Sequence, residues 1–383
     1  MLKNSVQDPA SLTVEERLEL LKSVGTGGEI TEDEGQLRWL LENRKPYEII
    51  AYDGFEPSGK IHIAQGLLRA ININKFTSAG VKFKMFVADW HAAANQKFGG
   101  DLDVIKKVGD YFVEVWKACG INLEHVEFIY ASDLVKDPNY WELVLKISMN
   151  TSLKRVLRCT QIMGRNSTDA LQSSQILYPL MQCADIFVLK TDICQLGLDQ
   201  RKVNMLAREV AKPLGFHKPA AIHHHMLMGL GKPPENNMDE LDKKIARKMS
   251  KSDPNSAIFM LDTRKQIQKK IGKAWCPPQQ IEENPVLEYC KYIIFERFDE
   301  FKVERPDQYG GNITYSNYDD LAKAYTAGEL NPVDLKNTVV KYLDELITPV
   351  REHFAKNSKA KELSDFVQKA MEKQFKSSKK GKK

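Results

Sequence analysis

The segment Tyr52-Asp53-Gly54-Phe55-Glu56-Pro57-Ser58-Gly59-Lys60-Ile61-His62-Ile63-Ala64-Gln65-Gly66 decides the fold of this chain. Residues 48–52 predict a short buried strand, and the Pro-Ser-Gly triplet is typical of a tight turn. After it, apolar residues recur at helical spacing: Leu67, Leu68, Ile71 and Phe76. A helix start exposes unpaired N–H groups and a positive dipole end, which suit a phosphate. Taken alone, such a segment is more often plain scaffold, and it lacks the glycine spacing of the dinucleotide fingerprint and of the P-loop.

Composition indicates an ordinary globular protein with room for two domains. The chain has 383 residues, of which 42% are hydrophobic and 28% charged, and its net charge is +5. Residues 369–383 hold seven lysines and one glutamate, a net +6, which leaves −1 for the rest. No general basic coat for nucleic acid is present, so we expect no DNA partner, and RNA contacts must come from local patches and the tail. The tail has a disordered composition and either binds RNA weakly or only aids solubility.

Cysteine usage and the N-terminus predict a cytoplasmic protein. The six cysteines show neither a Cys-x-x-Cys pair nor zinc-type spacing, which predicts reduced and mostly buried thiols. The N-terminus has no apolar signal run, its acidic residues argue against a mitochondrial presequence, and no apolar run approaches membrane-spanning length. Residues 223–225 are all histidines, but consecutive histidines cannot converge on one ion, so we predict no metal site.

Strand and helix patterns alternate through the first part of the chain. A strand over 83–89, a helix over 104–119 and a strand over 126–130 follow the first segment, which favours a doubly wound parallel sheet. A helix over 13–23 with Thr13 as its cap and a second helix over 31–43 precede it. From residue 263 the pattern is mostly helical with no sheet signal. We therefore predict four regions: an N-terminal helical extension (1–35), an α/β domain (36–262), a helical domain (263–368) and a disordered lysine-rich tail (369–383).

The helix predicted over 170–190 carries a polar stripe in apolar surroundings. Tyr178, Gln182 and Asp185 stand at i, i+4 and i+7, so they share one face. A helix that is apolar nearly all round is buried, and its buried polar groups need partners. One such residue is usually a satisfied core residue, whereas three including a carboxylate predict a small polar ligand.

Two basic segments are candidates for binding phosphates. Lys248-Met249-Ser250-Lys251-Ser252 predicts a small loop with two lysines able to close on a triphosphate, where charge builds up on departing pyrophosphate. The alternative is a simple solvated loop. Lys154, Arg155 and Arg158 are usually explained as a solvated helix face. In an RNA-binding enzyme they become candidate contacts for the acceptor arm.

The two signatures together resemble those of class I aminoacyl-tRNA synthetases. His62-Ile63-Ala64-Gln65 stands where that family has His-Ile-Gly-His, and the segment 248–252 matches the second signature at all five positions. Over residues 37–354 the chain resembles tyrosyl-tRNA synthetases of the archaeal and eukaryotic cytosolic type. Further motifs carry this resemblance: Tyr52-Asp-Gly-Phe-Glu-Pro-Ser-Gly, Ala88-Asp-Trp-His-Ala, Tyr178-Pro-Leu-Met-Gln and Leu198-Asp-Gln-Arg-Lys. It implies a Rossmann-like catalytic domain followed by a helical anticodon-binding domain.

The resemblance implies a role for each matching residue. The tyrosine hydroxyl would be bound by Tyr52 and Asp185, and its amino group by Tyr178, Gln182 and Gln200. ATP would contact Gly54, His62, Gln65, Lys248, Met249, Ser250, Lys251 and Ser252, and the catalytic residues would be His62, Gln65, Lys248 and Lys251. The anticodon would be bound by Tyr309 and Asp334. The implied partners are L-tyrosine, ATP with Mg²⁺, tRNA(Tyr) and a second copy of the chain, with no membrane.

The chain departs from the family pattern at a few positions. Ala64 and Gln65 replace glycine and histidine of the first signature, and the extra methyl group is expected to crowd the adenine. Asn331 stands where the archaeal pattern has histidine. The alternatives are a tryptophanyl-tRNA synthetase, a non-catalytic synthetase-derived RNA-binding protein, and another adenylyl-transferring enzyme of the superfamily. Tyr52 together with Asp185 argues against the first, because indole has no hydroxyl group.

Overall fold

The structure is a computed structural model that describes residues 6–25, 31–32, 34–163, 170–233, 247–249 and 255–380, with the side chains of 31, 32, 309 and 377–380 excepted. The strands are β1 (Thr31–Glu32), β2 (Ile49–Phe55), β3 (Val81–Val87), β4 (Val126–Tyr130), β5 (Ile193–Gly197), β6 (Ala220–His224), β7 (Phe301–Val303) and β8 (Ile313–Tyr315). The helices of the α/β part are α1 (Val14–Lys22), α2 (Glu34–Asn43), α3 (Leu67–Ser78), α4 (Asp89–Ala94), α5 (Leu102–Ala118), α6 (Ala131–Leu134), α7 (Pro138–Met149), α8 (Leu153–Cys159), α9 (Ser173–Val188) and α10 (Arg201–Ala211). Those that follow are α11 (Arg264–Lys273), α12 (Pro285–Tyr289), α13 (Phe295–Arg297), α14 (Tyr318–Ala327), α15 (Pro332–Lys356) and α16 (Ser358–Lys380).

The main sheet is doubly wound, as the alternating pattern predicts. Its strand order is β1-β6-β5-β2-β3-β4, and all neighbours pair in parallel except β1, which is antiparallel to β6. The chain runs from β2 to β3 and β4 on one side, then returns to place β5 on the other side of β2. The order therefore reverses between β2 and β5, the point at which open α/β sheets bind ligands.

The N-terminal region packs onto the sheet instead of standing apart. Thr13 caps α1 with the predicted capping box, since its hydroxyl accepts from the backbone N–H of Glu16 while the Glu16 side chain accepts from that of Thr13. The single helix predicted over 31–43 is wrong at its start, because residues 31–32 pair with β6 and the helix begins at Glu34. Pairing with an open sheet edge outweighs local helix propensity there.

The region after residue 263 is mostly helical, with one exception to the prediction. α11 packs against α15, and the buried residues of both helices belong to the same apolar cluster as the core of the main sheet. The predicted absence of sheet is wrong: β7 and β8 form an antiparallel hairpin. Each strand has only three residues, too few for period-2 alternation to stand out in the sequence.

The C-terminal segment is helical where disorder was predicted. Helix α16 continues to Lys380, so the disordered tail predicted for 369–383 is wrong as far as that residue. The helix packs along α5, with Val367 1% exposed and the Lys107 ammonium 4.9 Å from the centre of the Phe366 ring. These apolar contacts offset the ordering entropy that the lysine-rich composition alone would not overcome. All six cysteines are free and buried, as expected.

Candidate active site

A cleft of about 680 Å³ opens at the carboxyl ends of β2 and β5. Most of the predicted tyrosine and ATP residues line it: Tyr52, Gly54, His62, Gln65, Tyr178, Gln182, Asp185, Gln200, Lys248 and Met249. Their elements are β2, α9, and the segments after β5 and β6, so the sheet reversal brings them together. Ser250, Lys251 and Ser252 were also predicted to contact ATP, and they lie outside the described residues.

The inner end of the cleft is a buried pair of oxygen-bearing side chains. Tyr52 is 1% exposed, and its hydroxyl group has no hydrogen-bond partner among the described residues. Burial raises the pKa of Tyr52 well above its usual value, so the hydroxyl keeps its proton. Asp185 is also 1% exposed. A buried phenol and a buried carboxyl at the end of one cleft form a site for a ligand hydroxyl group.

Two residues that the sequence analysis did not assign hold Asp185 in place. The Tyr140 hydroxyl donates to Asp185 Oδ1 at 2.9 Å, and His91 Nε2 lies 2.9 Å from Asp185 Oδ2. Burial lowers the pKa of His91, but the adjacent Asp185 carboxylate outweighs burial and the net shift is upward. An imidazolium beside the carboxylate compensates its buried charge.

The rest of the stripe forms a chain of amides beside this pair. The Gln182 side-chain amide donates to Gln200 Oε1 at 3.2 Å, and the Gln200 amide donates to the carbonyl of Ile162 at 3.1 Å. Burial and then the nearby Glu56 carboxylate raise the pKa of Tyr178 well above its usual value. Glu56 is itself held by the side-chain amide of Asn95 at 3.0 Å. Carbonyl, carboxylate and hydroxyl oxygens therefore surround a space suited to an ammonium group.

Backbone pairing joins the two signatures, although nearly two hundred residues separate them. The N–H of Ile63 donates to the carbonyl of Ile258 at 2.9 Å, and the N–H of Met260 donates to that of Ile61 at 2.9 Å. A Cβ at Gly66 would lie 2.5 Å from the sulfur of Met260, so a larger residue there would force the Met260 side chain to move. The segment after the second signature is thus docked on the first.

Lys248 has a carboxylate partner inside the cleft. Its ammonium group lies 2.7 Å from Asp199 Oδ2, and the lysine side chain is 34% exposed. The charge of Asp199 raises the pKa of Lys248 more than burial lowers it. Lys248 is therefore charged, and Asp199 aims it into the cleft.

The departures in the first signature leave a polar atom facing the cleft. Ala64 is half-buried and lines the cleft beside Gln65. The Gln65 side-chain oxygen is buried and has no hydrogen-bond partner among the described residues, while its backbone carbonyl accepts from the Trp116 indole at 2.9 Å. This oxygen is available to a ligand donor such as a ribose hydroxyl or an adenine amino group.

A buried ion pair lies under the cleft floor and was missed in the sequence. The Arg69 guanidinium donates to Asp53 Oδ2 and to Gln195 Oε1, and it bridges β2 to β5 at the sheet reversal. Burial raises the pKa of Asp53 to about 6, although Arg69 lowers it. The available signal was an arginine among the apolar residues of the first turns of α3, Leu67, Leu68, Ala70 and Ile71, where a charge requires a buried partner. Glu56 and His91 were also not assigned from the sequence, although both lie inside the motifs quoted above. Nothing in the sequence pointed to Tyr140.

The predicted tRNA residues lie apart from the cleft and differ in their surroundings. Lys154 and Arg158 are exposed on α8. Arg155 instead binds the Glu209 carboxylate with two nitrogens, at 2.9 and 2.8 Å, so its charge is already paired. Asp334 is in the first turn of α15, and the Tyr309 side chain is outside the described set.

The three consecutive histidines have separate surroundings. The His223 ring nitrogen lies 3.0 Å from the Asn204 amide, that of His224 lies 3.1 Å from the Gln195 amide, and that of His225 lies 3.1 Å from a Glu288 oxygen. Among the described residues there is no group of three or more histidines, cysteines and carboxylates that suits a metal ion. In the same residues no helix is both long and apolar enough to cross a membrane.

Comparison with known proteins agrees with this geometry. Residues 44–348 match the family model of class I tRNA synthetases (W and Y). The chain is 49% identical over 353 residues to tyrosine–tRNA ligase 1, cytoplasmic, of Arabidopsis thaliana, covering 91% of this chain and 87% of that one. The fold is similar to tyrosyl-tRNA synthetase of Leishmania major in complex with tyrosinol, with TM-score 0.84, 41% identity, and coverage of 94% of this chain and 61% of that one.

A second solved structure resembles most of this chain and is itself matched over its full length. Tyrosyl-tRNA synthetase of Pyrococcus horikoshii, complexed with L-tyrosine, has TM-score 0.83 and 38% identity, with coverage of 92% of this chain and 100% of that one. Sequence identities this high over most of the chain indicate common descent. The chain therefore belongs to the class I tRNA synthetases of the W and Y family and, within them, to the tyrosine–tRNA ligases.

Proposed function

We propose that this tyrosine–tRNA ligase activates L-tyrosine with ATP in the cleft and then transfers the tyrosyl group to the 3′ end of tRNA(Tyr). The observation that carries the proposal is the buried pair of Tyr52 and Asp185 at the inner end of the cleft. The unpaired Tyr52 hydroxyl and the fixed Asp185 carboxylate match the donor and acceptor capacity of a phenol.

Selection of tyrosine over phenylalanine follows from this pair. Phenylalanine would leave the buried Tyr52 hydroxyl without a partner, at a cost of about 1–3 kcal/mol or more. It would also deprive the Asp185 carboxylate, already in contact with Tyr140 and His91, of the substrate hydroxyl. The ammonium group of tyrosine would bind Tyr178, Gln182 and Gln200, with Glu56 supplying the compensating charge. The two ends of the substrate are thereby fixed by different elements.

The nucleotide would occupy the part of the cleft lined by both signatures. Gly54, His62, Gln65 and Met249 would contact the nucleoside and α-phosphate, and Lys248 would bind the departing phosphates. Ser250, Lys251 and Ser252 would complete the phosphate site. The tyrosine carboxylate then attacks the α-phosphorus, giving tyrosyl-adenylate and pyrophosphate, and catalysis consists of positioning and charge stabilisation. Mg²⁺ would enter with ATP as the counter-ion of its phosphates.

The second step requires only that the tRNA end reach the adenylate. A ribose hydroxyl of the terminal adenosine attacks the activated carbonyl group and releases AMP, so no protein nucleophile is needed. Lys154 and Arg158 are exposed and would contact phosphates of the acceptor arm, whereas Arg155 would fix α8 through Glu209. Tyr309 and Asp334 would contact the anticodon.

The homodimer would form through an apolar stripe on α7 and α8. Leu145 is 61% exposed, Met149 is 78% exposed and Leu153 is 62% exposed. Leu145 and Met149 stand four residues apart on α7 and share a face, and Leu153 is the first residue of α8. A second copy would cover these exposed apolar side chains. Sedimentation should give a dimer, and a Leu145→Glu, Met149→Glu variant should be a monomer. A monomeric unmodified chain would refute this arrangement.

The alternative functions have less support. A tryptophanyl enzyme is not favoured, since the relatives are tyrosine–tRNA ligases and the inner pair fits a hydroxyl group. A non-catalytic protein would have no use for a charged Lys248 aimed into the cleft. The cytoplasmic location agrees with the name of the Arabidopsis relative.

The first experiment is amino-acid-dependent ATP–pyrophosphate exchange, measured without tRNA for all twenty amino acids. Exchange with tyrosine alone is expected. Exchange with tryptophan would overturn the role of Tyr52 and Asp185, and no exchange in folded protein would support a non-catalytic function.

A further inference from the structure

Four carboxylates among the described residues line the cleft, and they differ in how their charges are balanced. Three have a cationic or ionisable partner at hydrogen-bond distance: Asp53 with Arg69, Asp185 with His91, and Asp199 with Lys248. The fourth is Glu56, whose side chain is 16% exposed. Lys97 lies beside it, but the 3.7 Å between the Lys97 ammonium group and Glu56 Oε2 is longer than a hydrogen bond. Glu56 therefore has charge left for a cationic group of a ligand.

The side chain of Asn95 holds the Glu56 carboxylate. Asn95 Nδ2 lies 3.0 Å from one carboxylate oxygen and 3.3 Å from the other, so its N–H groups donate to both. Asn95 is 2% exposed, and hydrogen bonds that water cannot reach are electrostatically stronger than those in solvent. Burial and then the held carboxylate raise the pKa of Tyr178, so Glu56 lies beside the part of the cleft proposed for the tyrosine ammonium group.

The first turn of α9 fixes Asn95 in turn. Gln175 is 3% exposed, and its amide nitrogen donates to Asn95 Oδ1 at 3.4 Å. The Ser174 hydroxyl donates to the carbonyl of Ala94 at 2.9 Å, which joins the start of α9 to the end of α4. An ionised carboxylate only accepts hydrogen bonds, so the Asn95 nitrogen faces Glu56 and its oxygen faces Gln175. The Asn95 amide is therefore held in one orientation by a partner at each end.

We propose that Asn95 is a positioning residue that keeps the Glu56 carboxylate turned to the α-ammonium group of the substrate, and that the cleft thereby rejects tyrosine analogues without this group. Without Asn95, Glu56 would close the gap to Lys97, and that ion pair would compete with the ligand. The other side chains proposed for the ammonium group are neutral, so selection by charge depends on Glu56. This inference rests on the proposed function, because it assumes that the amino end of tyrosine lies beside Glu56.

The test is a double-mutant cycle read out by the binding of two ligands. The variants are Asn95→Ala, Glu56→Gln and the two together, and Asn95→Leu repeats the first change with little loss of volume in case the cavity prevents folding. The control Asn74→Ala truncates another asparagine that is 2% exposed, whose amide donates to the carbonyl of Gly120 at 2.8 Å. The ligands are L-tyrosine and 3-(4-hydroxyphenyl)propionate, which differ only in the amino group. Calorimetry gives each Kd, and melting temperatures show which variants are folded.

We expect the Kd for tyrosine to rise about tenfold in Asn95→Ala and Asn95→Leu, the effect of one lost hydrogen bond to a charged group. The Kd for the propionate should not rise, because it has no ammonium group for Glu56 to attract. In the Glu56→Gln background, Asn95→Ala should change the Kd for tyrosine less than about twofold, since Asn95 acts through Glu56. In pyrophosphate exchange the KM for tyrosine should rise with the Kd, while kcat stays within about twofold. The control Asn74→Ala should leave both Kd values unchanged.

Three results would overturn the inference. An unchanged Kd for tyrosine in folded Asn95 variants would make Asn95 a structural residue only. Equal weakening of both ligands would show that Asn95 shapes the pocket and does not act on the ammonium group. Additive losses in the double variant would show that Asn95 does not act through Glu56. The binding measurements need no catalysis, so selective binding of tyrosine without pyrophosphate exchange would refute the proposed reaction alone, whereas a chain that binds no tyrosine would refute both.

Discussion

The inner end of the cleft and its phosphate end are built in different ways. The inner end, formed by Tyr52, His91, Tyr140 and Asp185, is buried, and Tyr140 and His91 hold Asp185 in place. The phosphate end, formed by His62, Asp199, Lys248 and Met249, includes a lysine that is 34% exposed and paired with a single carboxylate.

The difference fits the ligand groups proposed for the two ends. A phenol is neutral and is distinguished from phenylalanine only by its hydroxyl group, so the inner end needs fixed partners in a dry site. Triphosphate is highly charged and is bound mainly by Coulomb attraction, which tolerates motion of a long lysine side chain. Selectivity is therefore expected to depend on the inner end, and the rate of adenylation on the phosphate end.

The largest expected effect is that of Asp185→Ala, which should impair the inner end and leave the phosphate end intact. It removes the acceptor for the substrate hydroxyl and leaves Tyr140 and His91 without their partner, as happens when one member of a buried charge pair is truncated. We expect kcat/KM for tyrosine in pyrophosphate exchange to fall about 10²–10³-fold. The KM for ATP should stay within about twofold. Equal losses for tyrosine and ATP would contradict the assignment of Asp185.

A smaller effect is expected from Lys248→Ala at the phosphate end. The variant loses one positive group from the site where charge builds up on pyrophosphate, so kcat of exchange should fall about 10²-fold. The KM for tyrosine should not change, because the inner end is untouched. Lys82→Ala, which removes an exposed lysine paired with Glu127, is the matched control. A rise in the KM for tyrosine would show that the two ends are coupled.

Tyr140→Phe tests whether tyrosine binding depends on the hydrogen bond by which Tyr140 holds Asp185. The variant removes the 2.9 Å hydrogen bond to Asp185 and a longer one, 3.3 Å, to the carbonyl of Met181. Loss of one hydrogen bond to a charged group should raise the KM for tyrosine about tenfold. The control Tyr342→Phe makes the same chemical change in the helical domain, where the hydroxyl donates to the carbonyl of Glu300. An unchanged KM would make Tyr140 a packing residue only.

The smallest expected effect is a pH dependence of stability that arises from His91. The pKa of His91 is raised in the folded protein, because the Asp185 carboxylate outweighs the opposing effect of burial. Its contribution to stability is therefore fully present below the unfolded pKa of about 6.5 and is lost as pH rises through the folded value. The melting temperature of the unmodified chain should exceed that of His91→Gln by about 2 °C more at pH 6 than at pH 9. A gap that is constant or grows with pH would show that His91 is neutral.

Local sequence was sufficient for many parts of this site. The strand, turn and helix of the first signature, the cap of α1 and the stripe at 178, 182 and 185 depend on spacings of a few residues. Backbone geometry fixes such spacings, so a helix period places the stripe on one face in any fold. The charge pattern likewise identified Lys248.

Distant partners decided the surroundings of Arg155 and the conformation of the tail. Arg155 belongs to a basic cluster in the sequence, yet in the fold it binds Glu209, which is 54 residues away. Residues 369–380 have the composition of a disordered tail, yet they continue α16, which packs on α5. In both cases the interaction comes from a segment that the local pattern does not contain.

The sequence by itself determined the fold class, the family and most of the residues that line the cleft, because local spacing and two short signatures carry that information. The tertiary structure decided which residues hold Asp185, how Arg69 bridges β2 to β5, and that the end of α16 forms a wall of the cleft. Most of these contacts join positions from 45 to more than 300 residues apart, as from Asp185 to Tyr140 and from Gly59 to Met371. Such pairs meet only when the sheet order and helix packing have been set, so no local pattern contains them.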